Sequence, residues 1–199
     1  MQDSLYRSMQ GKIRIQKMSS MIFLDTETTG LLKPDAAEMQ YQPHMTEFCG
    51  VKVDFETLEQ IDALEYFCKI PVPVPEFITK ITGINDEMLA NEKPFVYKYD
   101  EMCEFFLGTK YVVAHNLMFD LRVLYDELER IDRSMMFPWP FKWICTVEAS
   151  MPIEHRRLRL PLLHEHYYGH VPAKSHRAYD DVHTLIKCYS ALRKDGLVD

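Results

Sequence analysis

The 199-residue chain is 47% apolar and 27% charged, with a formal net charge of −7. That length suits one domain with a sizeable core, and no run of 18 apolar residues is present to span a membrane. The five cysteines, Cys49, Cys68, Cys103, Cys145 and Cys188, are odd in number, widely spaced and never in a C-x2-C pair, which reads as reduced, buried thiols of an intracellular protein and not as a disulfide framework or a zinc knuckle.

Residues 1–19 are rich in Gln, Ser and Met, with scattered basic residues and one acid, Asp3. They lack the apolar core of a secretory signal and read as a disordered leader or extension, with a folded domain over residues 20–195. Met21 to Asp25 is a short apolar run and the first expected strand. A loop with two prolines follows from Leu31 to His44. Glu47–Asp54 and Ala63–Ile70 form a predicted antiparallel pair, since the link between them is too short for a crossover helix. Pro71-Val-Pro-Val-Pro75 cannot join a central ladder and is a connector. Ile78–Leu89 reads as two short helices broken at Gly83, the second capped by Asn85.

Glu92–Leu107 is amphipathic and Gly108 ends it; Tyr111–Ala114 is a short buried strand. Leu117–Arg130 has a helical apolar stripe at 117, 121, 124, 125 and 128. Phe141–Cys145 is a further strand, helical material follows Val147, and Leu158–Tyr168 and Ala178–Arg193 are the last helices. The order describes an α/β fold, a central mixed five-stranded sheet flanked by helices.

Three clusters carry chemistry. Asp25 and Glu27 lie two residues apart at the end of the first strand, so both carboxylates leave the same face. Buried acids are costly unless solvated, paired or holding cations, although a D-x-E that caps a turn reads equally well from those two residues alone. Asp120, in Ala114-His-Asn-Leu-Met-Phe-Asp120, borders the buried stripe of its helix, while His115 and Asn116 occupy the turn before it, placed to cap the helix or to bind a ligand. His176 and Asp181 are five residues apart, about 140° around an α-helix, so they converge only if His176 precedes the helix. Asp181 stacks with Leu185 and Cys188; Asp180 points away and suits the helix dipole. Four carboxylates and one histidine fit a two-metal phosphodiesterase, since oxygen donors select Mg²⁺ or Mn²⁺ over zinc and a near-neutral histidine can take a proton from water.

The segments Phe23-Leu-Asp25-Thr-Glu27-Thr-Thr-Gly30, Ala114-His-Asn-Leu-Met-Phe-Asp120 and His176-x-Ala-x-x-Asp181 resemble, in order, the three motifs of the DEDDh 3′→5′ exonucleases. That family includes the proofreading, epsilon-type subunits of bacterial DNA polymerases. The likeness runs from about residue 21 to 195. Glu47-Phe-Cys-Gly-Val resembles the family's second strand, and Thr82-Gly-Ile-Asn-Asp86 its His-Gly-Ile-x-Asp turn, with Thr82 in place of the histidine. The resemblance implies an RNase H-like fold, with Asp25, Glu27, Asp120 and Asp181 holding two Mg²⁺ or Mn²⁺ and His176 as general base. It also implies that Thr26 and Thr28 lie along the terminal nucleotide, with His115, Asn116 and Phe119 in the substrate site. Arg177 stands where the sister DEDDy group has tyrosine, so the histidine subtype is assigned.

The implied partner is a nucleic acid 3′ end, DNA before RNA, with a DNA polymerase as a candidate associate and a cytoplasmic or nucleoid-associated setting (the host cytoplasm for a phage product). The rivals are an exoribonuclease or oligoribonuclease with the same chemistry, and a catalytically silent scaffold. The net charge is unfavourable for a polyanion binder, but an acidic metal site accounts for part of it. Arg156, Arg157, Arg159, Lys174 and Arg177 face one acid, Glu165, over residues 156–177, a run that reads as a solvated face. His164-x-His166-x3-His170 lacks the glutamate of H-E-x-x-H and reads as ordinary helix.

Overall fold

The parity of the first strand organises the molecule. In the computed structural model, which describes residues 19–34, 38–173 and 177–199, β1 runs Ser20–Thr28. The expected leader, but for Ser19, therefore lies outside the described residues, as do Lys174 and His176. Ile22 and Leu24 enter one core, Met21 and Phe23 the other, as a strand buried on both faces must divide its side chains. β2 (Met45–Asp54) pairs antiparallel with β1, and β3 (Gln60–Phe67) antiparallel with β2. β4 (Tyr111–Ala114) and β5 (Lys142–Cys145) continue the sheet in parallel on the other side of β1. The order is β3-β2-β1-β4-β5, the mixed five-stranded sheet expected and the topology of the RNase H-like fold.

β3 begins three residues before the expected strand. A turn with Leu58 in the left-handed region delivers the chain to the ladder at once, and a register shift at Lys52/Val53 absorbs the mismatch. α1 (Glu76–Thr82) ends on Gly83, whose φ of 77° suits glycine. α2 (Asp86–Leu89) is capped as expected, the Asn85 side chain accepting from Met88 N at 3.0 Å. The amphipathic stretch after residue 92 becomes a 3₁₀ turn, Phe95–Tyr97, and then α3 (Tyr99–Phe106).

α4 (Leu117–Arg130) links β4 to β5 and, with α3, covers the face of Ile22 and Leu24. Two short helices, α5 (Thr146–Ala149) and α6 (Met151–Glu154), lead to α7 (Leu160–Tyr168) and α8 (Ala178–Lys194). α7 and α8 cover the face of Met21 and Phe23, where Val182, Leu185, Cys188, Tyr189 and Leu192 are all buried. Tyr189 meets Phe23 edge-on at 5.0 Å between ring centroids. All five cysteines are free thiols, and burial pushes Cys49 and Cys188 up to about 12. Among the described residues no helix is long and apolar enough to cross a membrane.

Candidate active site

The alternation that splits the core also sorts the acids. Asp25 and Glu27 continue the parity of Met21 and Phe23 and leave β1 on the face covered by α8. Asp181, in the first turn of that helix, meets them there. One carboxylate oxygen from each of Asp25, Glu27 and Asp181 lies within 4.8 Å of the other two. Thr26 has the opposite parity and reaches Asp120 of α4: its N–H and hydroxyl both donate to Asp120 Oδ1, at 3.0 and 2.8 Å. Asp120 thus approaches from the other layer, fixed by Thr26 and outside the trio.

Two of the trio, Asp25 and Glu27, are held against ionisation. Burial raises Asp25 well above the carboxylate range, and the charges of Asp120, Asp181, Glu27 and Glu47 push it further. Glu27 rises to about 8 from burial and then Asp181, Glu47 and Asp120, with Arg177 opposing. Asp120 rises to about 7 from burial, against the two bonds from Thr26. Three convergent carboxylates, of which Asp25 and Glu27 ionise at a cost, fit hard divalent cations as counter-charge, and among the described residues the cluster includes no thiolate or imidazole for a softer metal.

Behind the trio stands a pair that sequence reasoning missed. Glu47 is directly opposite Glu27 in the β1–β2 register and fully buried. Arg177 donates to it from Nε at 3.1 and 3.2 Å and from a terminal nitrogen at 2.9 Å, and Ala178 N donates at 3.1 Å. Arg177 also lies over the Phe67 ring at 5.1 Å. The available signal was an acid inside the apolar Glu47-Phe-Cys-Gly-Val strand, which needs a partner at such a place.

A cavity of about 400 Å³ opens beside the trio, lined by Asp25 and Asp181 together with His115, Asn116, Val147 and the 157–161 segment. Asn116 holds the turn with φ 75°, a conformation asparagine tolerates, but its side chain makes no capping bond; the capping role fails and the exposed amide faces the cavity. His115 is neutral: burial lowers it to about 4, against its bond to Leu158. Its Nε2 lies 3.0 Å from Leu158 O, an acceptor only, so that nitrogen carries the hydrogen. Nδ1 is then the acceptor for the Thr146 hydroxyl at 3.0 Å. Both ring nitrogens are engaged within the protein.

The expected nucleotide-side residues divide. Thr26 and Thr28 are buried, and their hydroxyls donate to Asp120 and to Gly30 O. Phe119 is partly buried and packs against the α3–α4 core. None of the three lines the cavity.

Comparison with known proteins agrees with this architecture. The RNase T exonuclease family model matches residues 22–189. The chain is 30% identical over 112 residues to the 3′-5′ exonuclease DinG of Bacillus subtilis (strain 168), covering 55% of this chain and 11% of that protein. It is 26% identical over 169 residues to the DNA polymerase III subunit epsilon of Treponema pallidum (strain Nichols), covering 84% of this chain and 74% of that one. The nuclease domain of 3′hExo, a DEDDh family member solved bound to rAMP, superposes with a TM-score of 0.72 at 17% identity, over 90% of this chain and 94% of that one.

Proposed function

Since the chain belongs to the RNase T exonuclease family and carries the DEDDh motif set, we propose that it removes nucleoside 5′-monophosphates stepwise from nucleic acid 3′ ends. The observation that carries this reading is the convergence of Asp25, Glu27 and Asp181 beside a cavity of nucleotide dimensions. In this reading Asp25, Glu27, Asp120 and Asp181 hold divalent cations, Mg²⁺ or Mn²⁺. Divalent ions held by these carboxylates would polarise the scissile phosphate and acidify the attacking water. His176 takes the proton from that water. Asp120 is aimed by Thr26, and Asp181 is set by the start of α8, which Glu47 anchors through Arg177 and Ala178 N. The exposed Asn116 amide serves the substrate directly.

DNA is the substrate we assign, with proofreading beside a polymerase as one setting. The epsilon-subunit relative supports DNA, and the rAMP-bound relative supports RNA as the second reading.

The test is digestion of 5′-labelled DNA and RNA strands of matched sequence. Stepwise shortening is expected with Mg²⁺ or Mn²⁺, none in EDTA, none on a 3′-phosphorylated strand and none on a circle. Cutting of circles, or full activity in EDTA, would overturn the reading. Asp181→Ala is expected to lose metal affinity and rate together. His176→Ala should keep the metals and lose about 10²–10⁴-fold in rate.

A further inference from the structure

Two arginines, Arg157 and Arg159, line the same cavity as Asp25 and Asp181. We propose that Arg157 and Arg159 form a clamp for backbone phosphates of the strand whose 3′ end reaches the trio, and that His115 is the positioning residue that holds the clamp. The inference rests on the exonuclease reading and adds to it the residues that grip the polyanion.

The segment that carries the two arginines is fixed at its centre. His155 turns the chain with φ 54°, and Arg159, with φ −74° and ψ 153°, is extended. Between the arginines, Leu158 is 2% exposed and packs into the core under α8. Its carbonyl accepts from His115 Nε2. With side chain and carbonyl of Leu158 both held, the residues on either side project outward together, as i and i+2 do along extended chain. Both arginines are exposed and both line the cavity that Asp25 and Asp181 line.

Neither guanidinium is spent on the acids. Arg157 has a 3.9 Å pair with the exposed Glu148, worth little in solvent. The Arg159 backbone carbonyl accepts from Leu162 N and Leu163 N, and its guanidinium makes no hydrogen bond or ion pair among the described residues. Guanidinium groups and carboxylates that line one cavity form a site for a ligand that is itself anionic and is bound together with cations. A phosphodiester is such a ligand, and arginine binds its oxygens in a bidentate fork. The same pair of arginines explains how a chain of net charge −7 accepts a polyanion: positive charge is placed where the strand enters and not spread over the surface.

His115 belongs to this device and not to direct substrate contact. A neutral imidazole with both nitrogens engaged has no donor left for a phosphate. Through Leu158 it sets the height of both arginines above the acids.

The experiment compares kcat and KM for single-stranded DNA and RNA across a series of KCl concentrations. The variants are Arg157→Met, Arg159→Met, the double variant, His115→Ala, His115→Gln and Arg156→Met. Each lost phosphate contact should raise KM about tenfold and make the dependence of log(kcat/KM) on log[KCl] shallower by about 0.7. The double variant should lose about twice that slope on both substrates; loss on one nucleic acid alone would assign the clamp to that polymer. His115→Ala should raise KM more than it lowers kcat and should lose slope as the arginine variants do. His115→Gln, which can still donate to Leu158 O, should recover part of it. Arg156→Met removes the neighbouring charge, which pairs with Glu154 and does not line the cavity, and should keep the wild-type slope. An active wild type with equal slopes across the series would overturn the clamp alone. An equal loss in Arg156→Met would reduce the clamp to a general field, and an inactive wild type would remove the clamp together with the exonuclease reading.

Discussion

Glu47 shows how much of the site depends on residues that never reach the cavity. Its carboxyl sits behind Glu27, closed from solvent, and Arg177 supplies most of its donors. Removing one partner of a buried pair costs more than the pair itself contributes, because the other partner stays behind unsatisfied. Arg177→Met should therefore lose about 3 kcal/mol of stability, toward the lower end for such pairs, because Ala178 N still donates and Arg177 is itself partly exposed. The double variant Glu47→Gln/Arg177→Met should be more stable than Arg177→Met alone. A denaturant cycle on the four proteins measures the coupling, and additive losses would deny it. None of this was visible as a pairing in the sequence, where Glu47 and Arg177 are 130 positions apart. Arg177 stood out there as the residue occupying the place of a tyrosine and as the end of a basic run, not as a partner of Glu47.

At the scale of elements, legibility followed locality. β1 and the helix of Asp120 were readable because period two and a 3.6-residue stripe are written into neighbouring residues, and the same parity put Asp25 and Glu27 on one face. The strand's full length was not readable: it continues through the polar Asp25–Thr28 because β2 pairs with it there. The hydroxyl partner of Thr26 was hidden for the same reason, since α4 supplies it, whereas that of Thr28 is local, Gly30 O. Arg157 and Arg159 read as a solvated face because the bond that raises them over the site comes from His115, on a distant turn. Gly50 marks a further constraint between elements. A Cβ there would lie 2.7 Å from the Phe105 ring and 3.1 Å from Phe48, both rings buried between β2 and α3. Gly50→Val should cost about 1–3 kcal/mol by overpacking and leave the KM of any remaining folded enzyme near wild type. Thermal melts with kinetics below the transition check this, and an unchanged melting temperature would mean that α3 can move aside.

For the whole molecule, the acid cluster makes stability depend on pH and on cations. Glu27 and Asp120 are raised to about 8 and about 7, against roughly 4 in an unfolded chain. Between those limits the folded, metal-free chain holds protons that the unfolded chain has released, so stability falls as pH rises from about 4 to about 8. Self-repulsion at a net charge of −7 acts in the same direction. Divalent ions oppose the trend, because they bind the folded state and displace those protons. Melting curves in EDTA should therefore shift downward between about pH 5 and pH 8, and saturating Mn²⁺ should raise the transition more at the upper pH. An EDTA transition that did not move, with an equal Mn²⁺ shift at both values, would contradict the cluster's energetics.

On the proposed reading, the position of Asp181 also governs when the molecule can be dangerous. During synthesis β1 leaves the ribosome early with two of the trio's acids, but the third arrives only with α8, about 150 residues later. Until then the face of Met21 and Phe23 lacks the larger part of its cover, with only α7 and the segment before it available, and Asp25 and Glu27 have no Asp181 to converge on. Pairings over such separations form late and slowly. If Asp181 is needed as proposed, a nascent or prematurely stopped chain is a blank, and exonuclease activity arises in one step, when the last described helix docks.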